Sequence, residues 1–439
     1  MALLLETFAH YLTFELTSEE LVNTNPDPVA NRRTMRSVKD LDVNQRSAAL
    51  SHLNRAAEAV SPPNFPPESK FSPSAVWEWI RNYLAYVCHR KHDFSPATAS
   101  PTLALYELLN ENNTAQNVRI CIAGDWGTGT AEAESVADRI RQLNPHFSIH
   151  IGDVYYVGDP QAVNENCLGI KNPANNYDPV TWPIGSKGSF ALNGNHEMYA
   201  NGVGYFDVLL PELGLRNGNG TTSGQQTSFF CLQNQYWRII AIDTGYNSIG
   251  VPILSHIPLI NDIPGIGGNC KLRNEMIAWI TDIVKPAQDQ RGLVVISHHQ
   301  NYSAFQNQYK KPSQQLWDAG IRRPVLWFWG HEHRLAGYDL YGTSDLKSFG
   351  RCIGHGGMPV DRGSPTHAPA PVFYDNRLAS NKYGVNGFVN LTFNGPNLLT
   401  EYEDLDGTKV FREEWSVDGS GGIKLLSKQK LTEDPDFHA

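Results

Sequence analysis

The chain has 439 residues, 41% of them hydrophobic, which is enough apolar surface for one large domain with additions or for two domains. Its 45 acidic residues outnumber the 36 basic ones and leave a net charge of −9, so no basic face is available to neutralise a nucleic-acid backbone and no stable nucleic-acid partner is expected. A negative protein that handled phosphate esters would need concentrated positive charge, and bound metal ions supply that better than scattered Lys and Arg.

The first twenty residues hold a brief apolar run with Glu6 early, no basic lead-in and no small-residue cleavage site. No signal peptide is read from them, and a cytoplasmic location is expected. No stretch approaches the roughly 20 apolar residues that span a bilayer, so no membrane partner is expected. The six cysteines, Cys88, Cys121, Cys167, Cys231, Cys270 and Cys352, include no CxxC pair and no zinc-finger spacing, and read as buried small hydrophobes.

Residues 1–115 are helix-prone and broken by a Pro-rich stretch at 61–69, which predicts a helical N-terminal extension of two pieces. The second piece, from about Ser74 to His92, sets Trp77, Ile80, Leu84 and Val87 on one face, a stripe suited to packing on the following domain. From Asn117 the texture changes to short apolar runs, VRICIA, FSIHI, SFAL, WRIIAI, GLVVIS and PVLWFW, the mark of strands buried on both faces. Between the first two runs, Ala131 to Leu143 places Val136, Ile140 and Leu143 on one face with Glu132 and Glu134 in the first turn, which predicts a helix and an α/β core. Near the end, GFVNLTF, NLLTEYED and TKVFREEW read as antiparallel strands joined by tight turns, so the sheets are mixed. Loops at 164–188, 214–226 and 245–270 are long enough to shape a substrate mouth.

Five of the apolar runs end in a small residue followed by polar groups able to bind metal. VRICIA leads into Gly124-Asp125-Trp126-Gly127, FSIHI into Gly152-Asp153-Val154-Tyr155-Tyr156, SFALN into Gly194-Asn195-His196-Glu197, GLVVIS into His298-His299, and PVLWFW into Gly330-His331-Glu332-His333. Ligands of α/β sheets bind beyond the carboxyl ends of strands, so the five loops are expected to converge. Two ions roughly 3.5–4 Å apart can hold both the attacking and the leaving oxygen of a displacement at phosphorus, and they need an anionic bridge that a carboxylate such as Asp153 provides. Mixed nitrogen and oxygen ligation suits iron, zinc or manganese rather than calcium.

These segments resemble the GDxG, GDxxY, GNH(D/E), VxxH and GHxH set of the calcineurin-like metallophosphoesterases, most closely that of purple acid phosphatases, over about residues 117–415. The resemblance implies a four-layer αββα sandwich with two mixed sheets as a catalytic domain over 116–439, after the helical extension of 1–115. It implies two metal ions, with Asp125, Tyr156 and His333 on an iron, Asn195, His298 and His331 on zinc, manganese or iron, and Asp153 between them. It also implies His196 as the group facing the phosphate and protonating the leaving alcohol. A phenolate ligand requires a strongly Lewis-acidic ion, which makes the tyrosine the mark of the purple subgroup. Tyr155 adjoins Tyr156, and alternation along an extended segment lets only one of the two point inward; the motif spacing selects Tyr156.

His299 is a candidate for contact with phosphate or for orienting a neighbour, and Glu197 and Glu332 are candidates for orienting imidazoles. His355 either borders the pocket or is a plain loop histidine. Asp243 is expected to make a structural hydrogen bond, His150 to be a hydrogen-bonded core histidine, and Trp126, Trp182, Trp327 and Trp329 to pack or anchor loops. The expected activity is hydrolysis of a small phosphorylated substrate by a metal-activated hydroxide, as a phosphomonoesterase. A phosphodiesterase or pyrophosphatase would use the same site, and a non-catalytic interaction protein could retain the fold. Purple acid phosphatases are typically exported, so secretion is the alternative location that the resemblance implies; the oligomeric state stays open.

Overall fold

The computed structural model describes residues 82–83, 85–86, 89–94, 104–173, 178–249, 268–379 and 383–439. In chain order they form β1 (Leu105–Glu107), β2 (Val118–Ala123), α1 (Ala131–Leu143), β3 (Phe147–His150), α2 (Pro160–Asn166), β4 (Gly188–Ala191), α3 (Asn195–Tyr199), β5 (Gly214–Leu215), β6 (Phe230–Gln233) and β7 (Trp237–Ala241). There follow α4 (Asn274–Trp279), β8 (Gly292–Ser297), α5 (Lys310–Asp318), β9 (Val325–Trp329), β10 (Leu335–Tyr341), β11 (Ser348–Ile353) and β12 (Phe373–Asp375). The chain ends with β13 (Gly387–Asn394), β14 (Asn397–Asp404), β15 (Lys409–Val417), β16 (Ile423–Lys430) and β17 (Phe437–His438).

The apolar runs become the central strands because neither face of them meets water: every residue of β3, β4, β7, β8 and β9 is buried. They divide between two mixed sheets. One has the order β1-β6-β7-β8-β9-β11-β10-β12-β17 and the other β16-β15-β14-β13-β2-β3-β4-β5. Within the first, β7, β8, β9 and β11 run parallel; within the second, β2, β3 and β4 do. The C-terminal hairpins β13 to β16 are antiparallel and join the second sheet through β13 and β2.

The sheets meet through aromatic side chains: Phe190 on Phe230, Trp237 on Phe393, Phe349 on Trp415 and Phe373 on Phe411, at centroid distances of 4.7, 5.6, 5.0 and 4.2 Å. Helix α1 forms where its sequence places it. The Thr130 hydroxyl accepts from the Ala133 amide at 3.3 Å, Glu132 and Glu134 occupy the first turn, and Asn144 closes the end in the left-handed conformation.

The boundary expected at residue 115 moves. β1 lies before it, yet pairs with β6 as an edge of the first sheet; three residues without an apolar run give no sequence signal. Residues 89–94 also pack on the body, with His92 stacked on Phe206 at 4.5 Å and Phe94 against Phe229 and Tyr246. The stripe of Trp77, Ile80, Leu84 and Val87, Cys88 and most of the 245–270 loop lie outside the described residues. The other five cysteines are free and buried, as expected. Among the described residues no helix is long and apolar enough to cross a membrane.

Candidate metal centre

Parallel strands from both sheets point their carboxyl ends at one place. Asp125 follows β2, Asp153 follows β3, Asn195 follows β4, His298 follows β8, and His331 and His333 follow β9. Each chain turns sharply on leaving its strand. Asp125, Asp153 and His331 have φ of 57°, 72° and 66°, left-handed values that cost a non-glycine residue energy and persist where surroundings enforce them. Gly152, with φ of 104°, lies so close to His298 that a Cβ there would sit 2.7 Å from Nδ1.

Asp153 lies at the middle. Its Oδ2 is 3.2 Å from His298 Nε2 and 3.9 Å from His196 Nε2, and its Oδ1 accepts from the His196 amide at 3.0 Å. His298 Nε2 is also 3.2 Å from Asn195 Oδ1, while its Nδ1 faces the Ile151 carbonyl at 3.0 Å, the hydrogen bond that leaves Nε2 free to bind a cation. Asp125 Oδ2 accepts from the His331 amide at 2.8 Å, and its Oδ1 is 3.6 Å from His333 Nε2. Ligand atoms of Asp125, Asp153 and His298 lie within 4.8 Å of one another, and so do those of His298, His299 and His331.

The tyrosine differs from the expectation. Tyr155, not Tyr156, turns its hydroxyl into the cluster, 2.9 Å from Asp125 Oδ1, 3.3 Å from Asp153 Oδ2 and 3.0 Å from His333 Nε2. Tyr156 is buried beside it, and its carbonyl meets His196 Nδ1 at 2.6 Å. Alternation along a strand does not govern this segment, because the chain leaves extended geometry at Asp153 and turns through residues 155–157.

Charge in the cluster is unevenly held. Burial, opposed by His298, pushes Asp125 up to about 8. Burial also raises Asp153, but His298 and His196 beside it hold its carboxyl well below the usual carboxylate range. Burial lowers His298, yet Asp153 outweighs it and brings the imidazole to about 9. Burial lowers His331 and His333 to about 3 each, so both are neutral and able to donate a lone pair. A divalent or trivalent cation fits this set. The phenol of Tyr155 has one proton for two carboxylate oxygens and an imidazole nitrogen, and a cation between them satisfies all four groups at once.

Other expected residues take different places. Glu197 does not orient an imidazole: its carboxylate accepts from the Gly194 and Asp153 amides at 2.9 and 3.2 Å and so ties two ligand loops together. Glu332 accepts from Ser303 Oγ at 2.7 Å. Both loops bring their backbone closer to these acids than any ring. His299 is buried, with Thr244 Oγ1 3.0 Å from both its amide and its Nδ1. His355 is buried against Gly387, and among the described residues no hydrogen bond or ring contact joins it to the cluster, because its side chain faces β13. Asp243 accepts from the Tyr246 amide at 2.8 Å, as a structural carboxylate would. His150 packs on Trp126 and Trp182, but neither of its ring nitrogens has a hydrogen-bond partner among the described residues; the core around it is aromatic and offers none. The four tryptophans are buried. Sequence reasoning missed Tyr155, Thr244 and Tyr309, whose hydroxyl is 3.4 Å from His331 Nε2; Thr244 follows β7 and the rule of strand ends would have reached it.

Residues 118–335 match the calcineurin-like phosphoesterase family. No curated protein matches the chain. Among solved structures, a conserved uncharacterized protein of Streptococcus pneumoniae TIGR4, described as a predicted phosphoesterase, is 10% identical over 71% of this chain and 98% of its own, with a TM-score of 0.24. Vps29 of Chaetomium thermophilum is 10% identical over 73% of this chain and 100% of its own, with a TM-score of 0.25. Vacuolar protein sorting 29 of Cryptosporidium parvum is 10% identical over 72% and 99%, with a TM-score of 0.23. Superpositions at this level leave the assignment resting on the family match.

Proposed function

From the premise that this chain carries a calcineurin-like phosphoesterase domain over residues 118–335, we propose that it hydrolyses phosphate esters with the help of two metal ions, and that phosphomonoesters are its preferred substrates. One observation carries the reading: two carboxylates, an amide and three imidazoles from five strand ends meet in one buried cluster. Asp125, His333 and a tyrosine would hold one ion, Asn195, His298 and His331 the other, and Asp153 both. We assign iron to the tyrosine position and zinc, manganese or iron to its neighbour. When bound, such a pair polarises a phosphoryl oxygen and lowers the pKa of coordinated water.

The chain's own groups complete the chemistry. His298 is kept in the tautomer that presents Nε2 by the Ile151 carbonyl. Glu197 fixes the spacing between the loops of Asp153 and Asn195 through their amides. His196 is partly exposed at the edge of the cluster, with its ring on Tyr155 and its Nδ1 at the Tyr156 carbonyl, so Nε2 is the nitrogen left to pass a proton to a departing alkoxide. The test is turnover of a nitrophenyl phosphate monoester against the corresponding bis-ester. The monoester is expected to be the better substrate, and Asp153→Asn and Asn195→Ala are each expected to reduce its turnover to background in folded protein. Full activity in both variants would sink the reading, and preference for the bis-ester would move it to a phosphodiesterase.

A further inference from the structure

We propose that His299 is a third imidazole ligand at the second metal position, beside His298 and His331, and that it makes this position selective for zinc or iron over manganese. The inference rests on the two-metal reading above and deepens it. Motif spacing stops at His298, yet the structure gathers a ligand atom from each of His298, His299 and His331 within 4.8 Å of one another. The rings of His299 and His331 are 4.6 Å apart between centroids, and those of His298 and His299 are 4.7 Å apart.

The ring of His299 is held on two sides. Thr244 Oγ1 accepts the His299 amide and lies 3.0 Å from Nδ1, which fixes the imidazole plane and leaves Nε2 as the nitrogen for a ligand. Tyr309 packs on the ring at 5.0 Å and reaches on to His331. A group that contacts a passing substrate needs access, whereas His299 is 2% exposed. A neutral imidazole buried beside two others is costly unless its lone pair is used, and a cation shared by the three uses it. With Asn195 and Asp153 the position then has three nitrogen and two oxygen donors. Imidazole suits zinc and iron, whereas manganese prefers carboxylate, carbonyl and water, so the third ring shifts selectivity and closes one position that water would otherwise fill.

The experiment strips the full-length protein with a chelator and titrates zinc or manganese against a chromophoric competitor, with no turnover involved. Wild type is expected to bind two equivalents of zinc. His299→Ala is expected to weaken one of them by more than about 100-fold and Thr244→Val by about 10-fold, with a matching loss of preference for zinc over manganese in His299→Ala. A second measurement needs no variant: in cobalt(II)-loaded wild type each metal-bound imidazole contributes a strongly shifted exchangeable N–H resonance, and four are expected, from His298, His299, His331 and His333, instead of three. Two undiminished zinc equivalents and an unchanged preference in folded His299→Ala, or three such resonances in wild type, overturn the role of His299 alone. Wild type that binds no zinc and no manganese overturns the two-metal reading, and this inference with it.

Discussion

A phenol has one hydrogen to give, and Tyr155 stands before three acceptors, Asp125, Asp153 and His333. Its neighbour Tyr156 satisfies the spacing of the motif but sits to one side of them. The two tyrosines therefore make opposite predictions for the colour that a phenolate bound to ferric iron produces. Purified protein is expected to show a visible absorption band that Tyr155→Phe abolishes and Tyr156→Phe retains, measured at equal iron content; loss in Tyr156→Phe with retention in Tyr155→Phe would restore the reading from spacing. His150 makes a separate prediction. Burial between two tryptophans lowers its imidazole to about 3, against about 6.5 for an unfolded chain. Between those values the unfolded state takes up a proton that the folded state refuses, so stability rises with pH across the window and is lost as pH falls from about 6.5 toward 3. In chelator-treated protein, denaturant midpoints of wild type are expected to fall more steeply between pH 6.5 and 4 than those of His150→Phe. Parallel slopes would show that the imidazole is protonated inside the fold.

The ligand loops are built from strand ends held at fixed distances, and the short helix α3 is the most tightly placed of them. A Cβ on Gly194, the residue before it, would overlap Asp153 Oδ1 and crowd the Asp153 amide. Gly194→Ala is expected to lower metal content and turnover by at least about 100-fold, consistent with displacement of a metal-orienting group, while the far-ultraviolet circular dichroism stays that of wild type. Wild-type metal content in Gly194→Ala would contradict the close approach. At this scale much was legible in the sequence. VRICIA, GLVVIS and VLWFW became β2, β8 and β9 because continuous burial leaves no polar alternation, and Ala131 to Leu143 became α1 with its acidic first turn in place. Strands that depend on a partner were not legible. β11 contains Arg351, β10 is half exposed, and β16 has Lys424, Lys428 and Lys430 on an edge, so none reads as an apolar run. The candidate site was legible to the strand ends, where small residues and ligands adjoin. The inward tyrosine was not, since it depends on a turn that sequence spacing cannot see.

Across the whole molecule, the two sheets must keep their separation for strand ends of both to share one cluster. Aromatic contacts fill most of the space between them, but a fully buried ion pair also crosses it. Arg351 of β11 donates through Nε and Nη2 to the two oxygens of Glu413 on β15, at 2.8 and 2.6 Å, while Nη1 donates to the Tyr338 carbonyl of β10 and Tyr402 of β14 donates to Glu413 at 3.0 Å. Every one of these groups is satisfied, which is the condition under which a desolvated pair is tolerated; it is also why removing one partner is severe. Burial lowers Arg351, but the Glu413 carboxylate outweighs it and raises the guanidinium above its ordinary range, so the pair is charged at any pH the fold survives. Arg351→Met is expected to cost about 3–5 kcal/mol in denaturant unfolding, because it leaves Glu413 ionised without its cation. Adding Glu413→Leu should recover most of that loss, since a packed apolar pair of similar volume avoids the desolvation altogether. Zinc affinity, read in the folded double variant, is expected to match wild type if the pair only braces the sheets. A double variant as stable as wild type but with weakened metal binding would instead show that the bridge sets the spacing at the strand ends, and so reaches the cluster from the far side of the core.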